Sequence, residues 1–88
     1  MTLVCVHGPL RKLAGDRAEL QIGGATVEEL LRELEHEHPA VAGWILDERG
    51  TIRRHINVFV NGERAGEGTT VGSADRVEIL PAITGGAV

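Results

Sequence analysis

The stretch "RVEILP", residues 76–81, decides the fold because the other segments must be arranged around it. Val77 and Ile79 stand two positions apart, which is the period of a strand that buries one face. Pro81 has no N–H group to donate, so we expect hydrogen-bonded pairing to end there. The stretch therefore predicts a final strand with one face in a core.

Three earlier segments have the composition of strands. "TLVCVH", residues 2–7, is rich in β-branched and apolar side chains. "RAELQI", residues 17–22, alternates in polarity, and a turn-rich connection would join it to the first strand as an antiparallel hairpin. "HINVFVNGE", residues 55–63, predicts a third strand that ends in an Asn-Gly turn. With the final strand these make a four-stranded sheet, or a five-stranded one if a short strand forms near Val71.

The segment "GGATVEELLRELEHEHP", residues 23–39, predicts the main helix. Thr26 can cap its N-terminus, and Glu29, three residues later, completes a capping box. Pro39 cannot continue a helix, so we expect the helix to end near Glu37. Apolar residues recur at helical spacing and make one face for a core: Val27, Leu30, Leu31 and Leu34.

The order of the elements predicts a two-layer α+β domain, with one main helix packed on one sheet. The segment "AVAGWILDERG", residues 40–50, adds a short helical turn with Trp44 and Ile45 as expected core anchors. The first and last strands can lie side by side in parallel at the sheet centre, which is the β-grasp (ubiquitin-like) arrangement. We predict a β-grasp domain over residues 1–81 and a flexible tail over residues 82–88, which have little bulk to bury.

The composition limits the class of protein. The chain has 88 residues, 42% hydrophobic and 25% charged, which fits one soluble domain. Its formal net charge of −4 argues against a nucleic-acid binder. Cys5 is the single cysteine, so no internal disulfide can form, which favours the reducing cytoplasm. No apolar run approaches the roughly 18 residues of a membrane span, so we expect no membrane association.

No pattern in the sequence indicates catalysis by the domain itself. His36 and His38 are two positions apart and do not form the pair, four apart on a helix, that binds a metal. The glycine-rich segments do not lie between a strand and a helix, as a phosphate-binding loop would. We therefore expect a protein that is not an enzyme and that binds no metal and no cofactor.

Three segments resemble the family of the sulfur-carrier proteins MoaD, ThiS and CysO, the prokaryotic relatives of ubiquitin. They are "TVEELLRELEHEHP" at residues 26–39, "VFVNGE" at residues 58–63 and "ADRVEILPAITGG" at residues 74–86. The resemblance spans nearly the whole chain, and the wording "ILPAITGG" is most similar to the CysO-like branch.

The resemblance implies that the reactive group is the carboxylate of Gly86. An activating enzyme similar to ubiquitin E1 would adenylate it with MgATP, and a sulfur source would convert the adenylate to a thiocarboxylate. Thr84 and Gly85 would thread into that enzyme, and a biosynthetic enzyme would accept the sulfur. Ala87 and Val88 follow Gly86, so the resemblance implies their removal, by a metalloprotease of the JAMM type.

Partner docking is predicted at residues beside this tail. Phe59 and Leu80 face away from the expected core, and Pro81 and Ile83 adjoin them in the same region. The alternative is that Phe59 and Leu80 form a minor cluster covered by loops. The cluster of Arg53 and Arg54 could aid docking or simply be solvated. We expect a monomer that forms transient complexes with its enzymes.

Two other functions fit the same residues. A ubiquitin-like modifier would use the adenylated Gly86 to form isopeptide bonds with protein lysines. A β-grasp interaction module would have an inert tail, and deleting residues 85–88 would leave its function intact. The sulfur acceptor is also open between cysteine, thiamin thiazole, molybdopterin and a sulfur-containing secondary metabolite.

Overall fold

A computed structural model describes residues 1–81 of the chain. The predicted tail, residues 82–88, lies outside the described residues. The strands form one five-stranded sheet in the spatial order β2-β1-β5-β3-β4. Their bounds are β1 Thr2–Val6, β2 Glu19–Ile22, β3 Ile56–Val60, β4 Glu63–Arg64 and β5 Arg76–Pro81.

The first and last strands pair in parallel at the centre of the sheet. Val4 lies opposite Val77, and Val6 lies opposite Ile79. The other strand pairs, β1–β2, β3–β5 and β3–β4, are antiparallel. The α+β, β-grasp prediction is thus confirmed. The fifth strand does not lie near Val71, as the sequence suggested, but is β4, which follows the Asn61-Gly62 turn. Both turn residues have positive φ, 52° and 85°, as a tight hairpin of this kind requires.

The main helix, α2, spans Val27–Glu37 and ends two residues before Pro39, as predicted. At its start, the Thr26 hydroxyl oxygen accepts a hydrogen bond from the Glu29 N–H at 3.3 Å. Glu29 Oε1 accepts one from the Ala25 N–H at 3.0 Å, one residue before the position of a standard capping box. The reciprocal pair satisfies two N–H groups that a helix start would otherwise leave without partners.

The core lies between α2 and the inner face of the sheet. Val77 and Ile79 of β5 are fully buried, as the alternation predicted. Full burial of a side chain of this size contributes about 1.5–3 kcal/mol. The fully buried residues of the helix are those of the predicted apolar face: Val27, Leu30, Leu31 and Leu34. No helix within residues 1–81 is long and apolar enough to cross a membrane.

A second helix, α1, spans Pro9–Leu13 in a segment that the sequence predicted as a plain connection. Proline suits the first position of a helix because its missing N–H would have no partner there. Leu10 and Ala14 are buried and attach this turn to the core. Five residues are too few for a helical period to be visible in the sequence.

The prediction that Trp44 anchors the core was wrong. Its side chain is 53% exposed, whereas the adjacent Ile45 is fully buried. The short helical turn is a 3-10 helix at Pro39–Val41, and the Trp44 N–H donates to the Val41 carbonyl at 2.9 Å. The chain reverses through this turn, so Val41 and Ile45 enter the core and Trp44 stays outside.

Candidate functional site

The candidate site is the edge of the sheet at which β5 ends and the chain continues towards Gly86. Since β1 and β5 are parallel, the segment that follows β1 lies at this same edge. The N–H of His7 donates to the carbonyl of Ile79 at 3.1 Å. Since β3 runs antiparallel to β5, its first residue, Ile56, lies opposite Pro81.

Gly8 makes the closest approach to the end of β5. Its φ of 64° lies in the left-handed region that glycine adopts without strain. A Cβ added to Gly8 would lie 3.2 Å from Cγ of Pro81 and 3.6 Å from its Cδ. Glycine is therefore required here both for its backbone angle and for the space that Pro81 occupies. The only sequence feature that pointed to this contact was a Gly-Pro step directly after a strand.

The carboxylate of Glu78 lies between two basic side chains on the outer sheet face. His7 Nε2 is 3.2 Å from Glu78 Oε1, and Arg76 Nε is 3.7 Å from Glu78 Oε2. The side chains of His7 and Arg76 are 43% and 53% exposed, so water screens both pairs. Pairs of this kind contribute between about 0 and 1 kcal/mol. Their effect is to orient side chains beside the site.

Four residues were predicted to dock partners. The structure places two of them, Phe59 and Leu80, on neighbouring strands, and a third, Pro81, at the end of the same strand as Leu80. Phe59 lies opposite Glu78, and Leu80 lies opposite Asn57. Strand alternation therefore puts Phe59 and Leu80 on the face of the sheet away from α2, where both are half-buried. Pro81 is half-buried at the end of β5. Ile83 lies outside the described residues, and partner docking at this patch stays a prediction.

Cys5 lies on the same outer face, opposite Glu78 of β5 and Glu19 of β2. It is only 3% exposed. Burial, above all, raises the pKa of its thiol. The Arg76 guanidinium opposes this effect, and the two glutamates add to it. A thiol with a raised pKa is a poor nucleophile. The prediction that Cys5 is a small buried residue is confirmed.

The residues expected to carry the chemistry, Thr84, Gly85 and Gly86, lie outside the described part of the chain, as do Ala87 and Val88. Within residues 1–81, no group of three or more His, Cys, Asp or Glu side chains could hold a metal ion. What the described part offers is a fixed exit point for the chain, with Gly8, Ile56 and the outer sheet face around it.

Three comparisons bear on this geometry. The model of the ThiS family matches residues 4–86. Small archaeal modifier protein 1 of Haloferax volcanii is 34% identical over 79 residues, which cover 88% of this chain and 91% of the relative. Sulfur carrier protein CysO of Mycobacterium tuberculosis is 29% identical over 83 residues, covering 88% of this chain and 89% of the relative.

Among solved structures, a chain in the crystal structure of the Amycolatopsis orientalis BexX/CysO complex superposes with a TM-score of 0.86. It is 30% identical in sequence, and the match covers 96% of this chain and 98% of that one. The structural similarity therefore extends over nearly the whole chain.

Proposed function

This chain belongs to the ThiS family of ubiquitin-like carrier proteins, and from that premise we propose that it is a sulfur carrier whose reactive group is the Gly86 carboxylate. Its curated relatives are small carrier and modifier proteins rather than catalysts. The observation that carries the proposal is that the family match ends at Gly86, beyond a β5 strand held in the centre of the sheet.

The proposed chemistry takes place in a partner enzyme similar to ubiquitin E1. A carboxylate oxygen of Gly86 attacks the α-phosphorus of ATP, which is bound with Mg²⁺ by the enzyme, and pyrophosphate leaves. Hydrosulfide then attacks the carbonyl carbon of the acyl adenylate, a C–S bond forms and AMP leaves. The product is a Gly86 thiocarboxylate, which passes its sulfur to a biosynthetic enzyme. This chain supplies the carboxylate and the docking surface, and no catalytic side chain.

Glycine suits the end of such a carrier because the carboxylate must reach ATP inside an enzyme channel. Gly85 and Gly86 have no Cβ and accept backbone angles that other residues avoid. Ordering each threaded residue costs about 1–2 kcal/mol, which the contacts of the folded body must offset. The half-buried Phe59, Leu80 and Pro81 would contribute such contacts, with Ile83 and Thr84 following them into the enzyme.

Ala87 and Val88 follow Gly86 in the sequence, so Gly86 gains a free carboxylate only after the bond to Ala87 is cleaved. We assign this cleavage to a metalloprotease of the JAMM type. Cleavage would then be the step that converts an inactive precursor into an active carrier.

ATP–pyrophosphate exchange tests the proposal. The chains to compare end at Val88, at Gly86 and at Gly85, with the E1-like enzyme of the same organism. We expect exchange with the chain that ends at Gly86 and none with the other two. The chain that ends at Gly85 is a matched control, because it also presents a C-terminal glycine but one residue short. Equal exchange with all three chains would contradict a role for Gly86.

A ubiquitin-like modifier is the second candidate, and the 34% identity to small archaeal modifier protein 1 favours it. Both functions begin with the adenylate of Gly86, so the acceptor separates them. Incubation of the chain that ends at Gly86 with cell lysate and ATP would give ladders of isopeptide-linked proteins if it is a modifier. A thiocarboxylate without ladders would support the carrier.

A second partner enzyme, one that accepts the sulfur, is supported by one structural relative. The structural relative with a TM-score of 0.86 was crystallised in a complex of CysO with BexX, a second protein. By analogy, we propose that this chain docks on a sulfur-accepting enzyme through the end of the sheet from which Gly86 extends. The genes that neighbour this one in the genome would indicate which compound accepts the sulfur.

A further inference from the structure

Four exposed or half-exposed arginines gather on one side of the molecule, although the chain as a whole is acidic. We call them the arginine surface: Arg49, Arg53 and Arg54 in the segment before β3, and Arg64 in β4. Two open clefts, of about 480 and 330 Å³, meet along this surface and share Ile52, Arg53 and Arg54 in their walls. The surface is therefore a concave basic region and not a scatter of single charges.

The backbone under the arginine surface is held firmly in place. Asp47 Oδ1 accepts hydrogen bonds from the N–H groups of Arg49 and Thr51, at 2.9 and 3.0 Å. These bonds hold the pKa of Asp47 below its usual value, so the carboxylate stays ionised and the turn stays closed. The N–H of Ile52 donates to Glu67 Oε2 at 2.8 Å. A surface fixed in this way loses little conformational entropy when a partner binds.

Arg53 is tied into the fold on both sides. Its N–H donates to the Ile45 carbonyl, and its own carbonyl accepts from the Ile56 N–H, both at 2.9 Å. Its side-chain Nε is buried, and no acceptor among residues 1–81 lies within hydrogen-bond reach. A buried donor without a partner costs free energy. Nε itself is closed to a partner, so any contact with Arg53 would be made by the part of its side chain that lines the two clefts.

Three of the arginines of the arginine surface form no ion pair within residues 1–81, a property that they share with Lys12 and Arg17. Arg11, Arg32 and Arg76 each lie within 4.0 Å of a carboxylate, those of Asp16, Glu28 and Glu78. The side chains of Arg49, Arg54 and Arg64 form no ion pair or hydrogen bond with any described residue. Their charges are thus available to an anionic partner.

The position of the surface points to the class of partner. Ile56 lies opposite Pro81, and Arg53 and Arg54 are three and two residues before Ile56 in the chain. They therefore lie at the edge of the sheet from which the chain continues to Gly86. Any enzyme that receives Gly86 must approach this edge and will face the arginine surface.

We propose that the arginine surface binds a carboxylate-rich patch on the activating enzyme and so guides the carrier into its complex. This inference rests on the proposed function. A protein partner fits better than a nucleic acid, because a continuous phosphate backbone would extend beyond the four arginines over a chain whose net charge is −4. The half-buried Ile52 between the two clefts offers the apolar contact typical of a protein interface.

The test is the double charge reversal Arg49→Glu/Arg54→Glu, measured by steady-state adenylation with the E1-like enzyme of the same organism. Both side chains are exposed, so the fold should be kept. The matched control is Lys12→Glu/Arg17→Glu, which changes the net charge equally at two other exposed residues. Circular dichroism and urea denaturation of both variants check that they remain folded.

We expect the KM for the Arg49→Glu/Arg54→Glu carrier to rise about tenfold with kcat little changed, because surface charges act mainly on association. The control should stay within about twofold, and added salt should raise the wild-type KM towards that of the variant. Equal KM values for the two double variants would overturn the inference and leave the proposed function standing. No adenylation of the wild-type chain ending at Gly86 would overturn both. Binding of a single-stranded RNA that only Arg49→Glu/Arg54→Glu abolishes would also overturn it.

Discussion

Gly8 is the residue whose backbone lies against Pro81 at the end of β5. Replacing it with alanine puts a Cβ in the left-handed region, at a φ of 64°, and 3.2 Å from Cγ of Pro81. With ψ at −146°, this backbone conformation is essentially limited to glycine, so the strain alone costs about 1–3 kcal/mol. The contact adds a second cost, because Pro81 must move away from its place opposite Ile56. We therefore expect Gly8→Ala to lower both the free energy of unfolding, measured with urea, and the rate of adenylation.

Gly15→Ala is the matched control for this variant. Gly15 has a similar φ of 74°, but nothing lies within 4 Å of its added Cβ. It should therefore show the strain without the displacement of Pro81. Adding Pro81→Ala to Gly8→Ala removes Cγ and Cδ and should recover part of the lost stability, as a double-mutant cycle would reveal. Equal losses in Gly8→Ala and Gly15→Ala, with no recovery, would show that the Gly8–Pro81 contact is unimportant.

At the scale of elements, Asp75 joins the loop before β5 to the β3–β4 turn. Asp75 Oδ1 accepts from the Asn61 side-chain amide at 2.9 Å, and Oδ2 accepts from the Gly72 N–H at 2.8 Å. These bonds, that of Asn61 first, lower the pKa of Asp75 from its ordinary value of 3.8. A carboxyl whose pKa is lowered in the folded state stabilises the fold at pH values above its ordinary pKa. This stability is lost as the pH falls through the lowered pKa.

Asp75→Asn should therefore unfold at a lower urea concentration than the wild type at pH 7. The difference should shrink as the pH falls below about 3.8, because the wild-type carboxyl then becomes protonated. Asp16→Asn is the control, since Asp16 makes only an exposed contact with Arg11 at 3.7 Å. A difference between Asp75→Asn and the wild type that stays constant down to acid pH would contradict this account.

The sequence predicted the elements that show a period. The alternation of Val77 and Ile79 predicted β5 with the correct buried face. The helical spacing of Leu30 and Leu34 did the same for α2. The five-residue helix α1 shows no period, and it was missed. Trp44 was assigned to the core on size and hydrophobicity, but the turn after the 3-10 helix sets which neighbour is buried.

The site was predicted only in part, for a physical reason. The role proposed for Gly86 rests on the order of strand, proline, short apolar linker and Gly-Gly, which the sequence shares with the family that it resembles. The contact of Gly8 with Pro81 and the convergence of Arg64 with Arg53 depend on which strands are neighbours and in what register. A single sequence does not specify register with that precision.

At the scale of the whole molecule, the proposed function makes the folded body a docking domain and the edge of the sheet where β5 ends the part that partner enzymes contact. The parallel pairing of β1 with β5 fixes the exit of the chain in the centre of the sheet. The outer-face patch of Phe59 and Leu80 lies on one side of that exit, and the arginine surface adjoins Ile56 opposite Pro81. A partner that binds at this edge can therefore contact both the apolar patch and the arginine surface.

The most direct test of the central claim is the intact mass of the carrier after incubation with the E1-like enzyme, MgATP and sulfide. The chain that ends at Gly86 should gain the mass expected when one oxygen of its C-terminal carboxylate is replaced by sulfur. The chain that ends at Val88 should gain nothing unless a protease first removes Ala87 and Val88. Sulfur on the uncut chain, or none on the chain that ends at Gly86 although ATP is consumed, would contradict the account.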